Sequence, residues 1–192
     1  PQFKKFGCLH KVIRIDVTPP YETRRKCEYS HYIALKKCQE KKFKLPLILE
    51  SDFHFISNKK CIIEAELPDS LKLVSDAIGE LKEIDWKLFY LGGKPKYYYN
   101  KVSPSLLKLS AEQTHAYCVN PKYYDEIINI VEKHLNTFLD WVYSRKSYSN
   151  LYDYAYMTKQ IVVEQKGKPA DNRRARLARK SFRKKIPQRH WS

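Results

Sequence analysis

The sequence predicts an α/β fold, a central β-sheet covered by helices on both faces. Three observations predict it. Segments with helical periodicity alternate with short apolar, β-branched runs along most of the chain. Two of those runs, Leu47–Glu50 and Trp86–Leu91, are close to continuously apolar, as strands buried on both faces are. The chain has 192 residues, 43% of them apolar, enough for one domain with a real core.

Taken in order, Lys11–Val17 (KVIRIDV) alternates and is β-branched, which predicts a strand, and Thr18-Pro19-Pro20 breaks it. Thr23–Lys42 predicts a helix with Cys27, Ala34, Leu35 and Cys38 on one face and His31 between them. Leu47–Glu50 is the next strand. Asp69–Ile84 predicts a helix with Leu71, Val74, Ile78 and Leu81 on one side and Asp69, just after Pro68, as its cap. Trp86–Leu91 is a buried strand that Gly92-Gly93 ends. Tyr97–Val102 reads as a solvent-facing strand and His115–Val119 as a short one. Pro121 opens a helix through Leu135, since a proline in the first turn forfeits no hydrogen bond. Tyr154–Met157 and Ile161–Val163 carry weaker strand patterns. Ligands of open α/β sheets sit beyond the carboxyl ends of strands, where Glu50 with Asp52 and, separately, Gly92-Gly93 fall.

The net charge of +16 is unevenly placed. Residues 166–192 hold eleven Lys/Arg against one acid, Asp171, while residues 1–165 hold 26 bases and 20 acids. This divides the chain into a mildly basic domain, 1–165, and a polybasic tail, 166–192. Such a tail suits an anionic membrane surface or nucleic acid, or is simply solvated. No apolar run approaches the roughly 20 residues that span a bilayer, which places the chain in the cytoplasm or peripheral to a membrane. The five cysteines (8, 27, 38, 61 and 118) are odd in number and form no C-x-x-C, which argues against a disulfide scaffold or a zinc site. Reduced thiols fit a cytosolic compartment. No P-loop, nucleophile elbow, H-E-x-x-H or Rossmann glycine fingerprint occurs, so triad hydrolysis and dinucleotide redox chemistry have no support.

Each candidate site has a plain alternative. Glu50 and Asp52, one residue apart at a strand end, can both reach one hard divalent cation, or can be a polar strand end. His54 is next door and reads better as a surface residue. Ser30 and His31 offer a hydroxyl and an imidazole to a sugar or phosphate, or satisfy nearby backbone. Gly92-Gly93 lets backbone approach a ligand, or makes a tight turn. His115 and Tyr117 share a strand face, as acceptor contacts or as core. Asp140, following a helix, is a candidate general base or a helix cap.

The order of these pieces is more informative than any one of them. Ser30-His31 with Ala34-Leu35 precedes LILESDFHFI (47–56), DWKLFYLGG (85–93), THAYCVN (114–120), Leu139-Asp140 and a strand ending Glu164-Gln165-Lys166-Gly167. Over about residues 11–172 this resembles glycosyltransferase family 25, the group of lipooligosaccharide and collagen galactosyl- and glucosyltransferases. The resemblance implies a GT-A-like α/β/α sandwich with a mostly parallel central sheet. It implies a nucleotide-sugar donor such as a UDP-hexose, a glycan or protein hydroxyl acceptor, and Mn2+ or Mg2+. In that scheme Asp52, helped by Glu50, holds the metal; Ser30, His31, Gly92 and Gly93 line the donor pocket; Asp140 is the base. Two departures stand out. Ser51 occupies the middle of the family's Glu-Asp-Asp, and the family's opening I-N-L-D/R-x-x-R strand has no counterpart, which implies a trimmed start or a degenerate copy. Gln165, Gly167 and Asp171 match the family's closing pattern loosely. The rival expectation is a non-catalytic protein of this fold that acts through its basic tail.

Overall fold

The computed structural model describes residues 12–18, 26–55 and 70–165. The expected cap Asp69, the face residue Leu71 and the tail 166–192, with Gly167 and Asp171, lie outside the described residues and side chains. The described elements are α1 (Lys26–Glu40), β1 (Leu47–Leu49), β2 (Phe53–Phe55), α2 (Ser70–Leu81), β3 (Leu88–Tyr90) and β4 (Lys94–Lys101). They continue with β5 (Leu106–Glu112), β6 (Ala116–Val119), α3 (Tyr124–Lys133), α4 (Leu139–Ser144), β7 (Ala155–Thr158) and β8 (Val163–Gln165).

The fold is mixed α/β, with helices on both faces of one sheet. Side chains alternate along β3: Leu88 and Tyr90 join a core cluster with Leu35, Ile127, Val131 and Val142 from α1, α3 and α4. Phe89 points the other way and packs with Leu73, Ala77 and Leu81 of α2. The α2 stripe is therefore Leu73, Ala77 and Leu81, with Val74 and Ile78 at its margin, one position away from the expected face.

The expected mostly parallel sheet is corrected among the described residues. The strand order is β1-β6-β3-β7-β5-β4, and of its five pairings only β3 with β7 is parallel. The cause is one long bent hairpin. Leu88 pairs with Val119 and Tyr90 with Tyr117, and the same antiparallel register continues through Lys94 with Glu112 to Lys101 with Leu107. Gly92-Gly93 follows the end of β3, as expected, and forms a kink after which the same arm of this hairpin resumes as β4. Gln113, at φ 73°, lies at the matching break in the other arm. Beyond the kink the halves part to flank β7, which pairs with β3 on one side and β5 on the other. A hairpin needs only a few connecting residues, whereas a parallel crossover needs a dozen or more. β5, which the sequence reading passed over, is the arm that makes the sheet antiparallel. β1, β3 and β7 nevertheless point the same way, because β6 runs opposite to both β1 and β3.

Other boundaries move as well. Residues 12–18 form no strand: Val12 and Ile13 are 38% and 51% exposed, and only Ile15 packs on the core. Among the described residues nothing pairs with this segment, and alternation without a neighbouring strand does not make a sheet. The helix expected over 121–135 begins as a 3-10 turn, Pro121–Tyr123, in which the Asn120 side chain accepts the Lys122 amide at 3.1 Å. The weak strand expected over Ile161–Val163 starts at Val163 instead and pairs with β2, setting His54 opposite Glu164.

Candidate functional site

The register of β1 on β6 decides what Glu50 meets. Leu49 pairs with Ala116, and the Glu50 amide continues the ladder by donating to the His115 carbonyl at 3.1 Å. Glu50 thus stands beside Thr114 and under the buried face of α1. Its Oε1 lies 3.3 Å from His31 Nε2 and accepts the Thr114 hydroxyl at 3.1 Å, while its Oε2 accepts the Gln165 amide at 3.2 Å. On the far side of its ring, His31 Nδ1 lies 3.0 Å from the Tyr117 hydroxyl, which is 3.4 Å from that of Tyr143. Three separate segments therefore converge on one carboxylate. Burial pushes Glu50 up, but the hydrogen bond and charge of His31, the Thr114 hydroxyl and the charge of His115 outweigh it and hold the acid below its usual range.

Other acids surround the same place. Burial, then the charges of Glu50, Glu28, Asp52 and Asp140, raise the Cys27 thiol to about 12, although the residue reaches the surface. Asp52 and Asp140 are the smallest of these contributions. Asp140 lies in the first turn of α4 and does not follow a helix as expected. Burial raises it, Glu112 raises it further, and backbone donors at Gln113 and Trp141 with the charge of Arg145 only partly compensate. Burial also pushes His115 below the usual histidine range, while the Val163 carbonyl and the charges of Glu50, Asp52 and Glu164 oppose it. Asp52 Oδ1, His54 Nδ1 and His115 Nδ1 are buried atoms with no hydrogen-bond partner.

The structure thus brings His31 to Glu50 at one end of the sheet, while Asp52 follows β1 and Asp140 opens α4. Ser30 is engaged elsewhere: its hydroxyl donates to the Lys26 carbonyl at 2.9 Å, a bond within α1. Gly92 and Gly93 are required by packing. A Cβ on Gly92 would stand 1.9 Å from the Val163 carbonyl oxygen, and one on Gly93 would stand 3.1 Å from both Ala111 Cβ and the Glu112 oxygen. His54 is half-buried, 3.9 Å from Glu164. Cys27 and Tyr143 were not read as site residues. Cys27 shares a helix face with His31 four residues on, which is the one local signal for it. Among the described residues no helix is long and apolar enough to cross a membrane. No protein-family model matches the chain, and no curated protein matches it.

Proposed function

We propose that the chain is a hexosyltransferase of GT-A type, moving a hexose from a nucleotide-sugar such as a UDP-hexose to a glycan or protein hydroxyl. One observation carries this reading: His31, Thr114 and Gln165, which lie 19, 64 and 115 residues from Glu50, all bond its carboxylate. These residues fall in the ordered segments that resemble family 25. They meet beyond the carboxyl end of β1, where such sheets bind ligands.

In the reaction the acceptor oxygen forms a bond to the anomeric carbon. The bond from that carbon to the phosphate oxygen breaks, and the nucleoside diphosphate leaves with the electron pair. Asp140 takes the acceptor proton; its raised affinity for protons brings it closer to the operating pH of a general base. His31 and Thr114 fix the Glu50 carboxylate. Asp52 Oδ1, buried and without a partner, fits a hard divalent cation, and Mn2+ or Mg2+ held there with Glu50 would neutralise the diphosphate.

Calorimetric titration with UDP-hexoses, with and without Mn2+, tests the reading. Metal-dependent donor binding that Asp52→Ala abolishes, together with transfer that Asp140→Asn slows by about 10²-fold or more, is the expected result. A folded chain that binds no nucleotide-sugar refutes it.

One observation favours the rival. Both Glu50 oxygens are already spent on protein donors, as in a copy that keeps the fold without the chemistry. Such a protein would bind nucleic acid or an anionic membrane through residues 166–192. That binding would weaken steeply with salt and disappear when the tail is deleted.

A further inference from the structure

We propose that Cys27, His31 and Glu50 form a three-ligand site for Zn2+, with the fourth position open toward solvent. The site shares Glu50 and His31 with the transferase reading but differs from it in its ion, since Mn2+ and Mg2+ need neither a thiolate nor an imidazole.

Geometry comes first. Cys27 and His31 are four residues apart on α1, so they face the same way. The sulfur, a ring nitrogen and a carboxylate oxygen lie within 4.8 Å of one another. Tetrahedral zinc ligands at their usual bond lengths stand about 3.3–3.6 Å apart. His31 Nε2 and Glu50 Oε1 already have that separation, at 3.3 Å. The sulfur lies within 4.8 Å of both and must close in, and Cys27 reaches the surface.

The surroundings are those of a supported site. Zinc-bound histidines and carboxylates are usually oriented by outer partners. Here Tyr117 holds His31 Nδ1, while Thr114 and Gln165 hold the two Glu50 oxygens. Glu28, Asp52 and Asp140 add negative potential at the sulfur. A thiolate with an imidazole selects zinc over harder ions. On binding, the ion replaces the contact between His31 and Glu50. His31 binds as a neutral imidazole with Nδ1 kept by Tyr117, and Cys27 binds as a thiolate whose proton goes to solvent. The lack of any C-x-x-C does not bear on this site, because its ligand pair is C-x-x-x-H along a helix.

Titration of the whole chain with Co2+, then Zn2+, tests the proposal. Expected is a thiolate-to-cobalt charge-transfer band saturating at one ion per chain and displaced by Zn2+. Cys27→Ser removes the band and lowers zinc affinity by more than the 10–100-fold that loss of an outer partner costs. Cys8→Ser/Cys61→Ser keeps the band. Circular dichroism confirms that each variant is folded. The proposal is overturned if folded wild-type shows no band, if Cys27→Ser retains it, or if Mn2+ competes with Zn2+ on equal terms. Those outcomes do not depend on whether a nucleotide-sugar binds.

Discussion

Gly92→Ala is the most demanding test of how the site is held. The new methyl group would sit 1.9 Å from the Val163 carbonyl oxygen and 2.8 Å from His115 Nε2. An ordinary contact needs at least 3.4 Å, so β8 and the kinked arm must part by about 1.5 Å. The obstacle is backbone, which cannot turn aside as a long side chain would. Parting strains three hydrogen bonds: Val162 N to Leu91 O at 2.8 Å, Val163 N to Leu91 O at 3.1 Å, and His115 Nε2 to Val163 O at 3.2 Å. At about 1 kcal/mol each, with some relief by relaxation, the cost is about 2–4 kcal/mol. β8 also carries Gln165, so its bond to Glu50 should weaken in the same variant. Urea unfolding followed by tryptophan fluorescence and far-ultraviolet circular dichroism reads the change. A destabilisation below about 0.5 kcal/mol would refute the idea that this close crossing requires glycine.

Further outcomes follow from buried polar groups. Tyr117→Phe leaves His31 Nδ1 without its partner in a buried setting and should cost about 1–3 kcal/mol in the same unfolding assay. Lys87, only 6% exposed, is paired with Glu126 at 2.7 Å and lies over the Tyr154 ring at 4.3 Å. Lys87→Ala should destabilise by about 2–3 kcal/mol, while Lys122→Ala at the surface leaves the unfolding midpoint unchanged. His115 is held below its ordinary range in the folded chain, so as pH falls through about 6.5 the unfolded chain takes up this proton first. The stability it contributes is complete above that pH and is lost on acidification, with a slope approaching about 1.4 kcal/mol per pH unit until the folded form also protonates. His115→Asn should flatten that limb of the stability profile; an unchanged slope would show that other groups set it.

What was legible in the sequence depended on how locally it is encoded. The stripe on α1 and the apolar strand β3 follow from periodicity, and both are where the pattern puts them. Strand direction is not a local property. LLKLSAE at Leu106–Glu112 is an ordinary strand pattern beside a long tyrosine-rich run, and its consequence is visible only once its register against β4 is known. Gly92-Gly93 does follow the end of β3, but that β4 resumes in the same hairpin arm was not legible for the same reason: glycine permits a sharp change of direction without saying what the chain does next. The site was partly legible. Glu50, Asp52, His31 and Asp140 were identifiable as residue types at strand ends and on a helix. What Glu50 meets is set by the pairing of Leu49 with Ala116, which no spacing reveals.

The two acids at the end of β1, one residue apart, are in opposite conditions, and that contrast bears on their roles. Glu50 has donors on both oxygens, so removing its charge would leave Thr114 and Gln165 with a poorer acceptor and His31 without an ionised neighbour. His31, Thr114 and the charge of His115 hold its proton affinity below the usual range against burial. Asp52 has a buried oxygen with no partner at all, a costly arrangement for a carboxylate. Glu50 is then the acid that shapes the site, and Asp52 the one with capacity to spare for a ligand. The two substitutions should separate accordingly. Glu50→Gln acts first on stability and only through it on binding, whereas Asp52→Asn relieves an unpaired charge, leaves the fold at least as stable, and acts on binding directly.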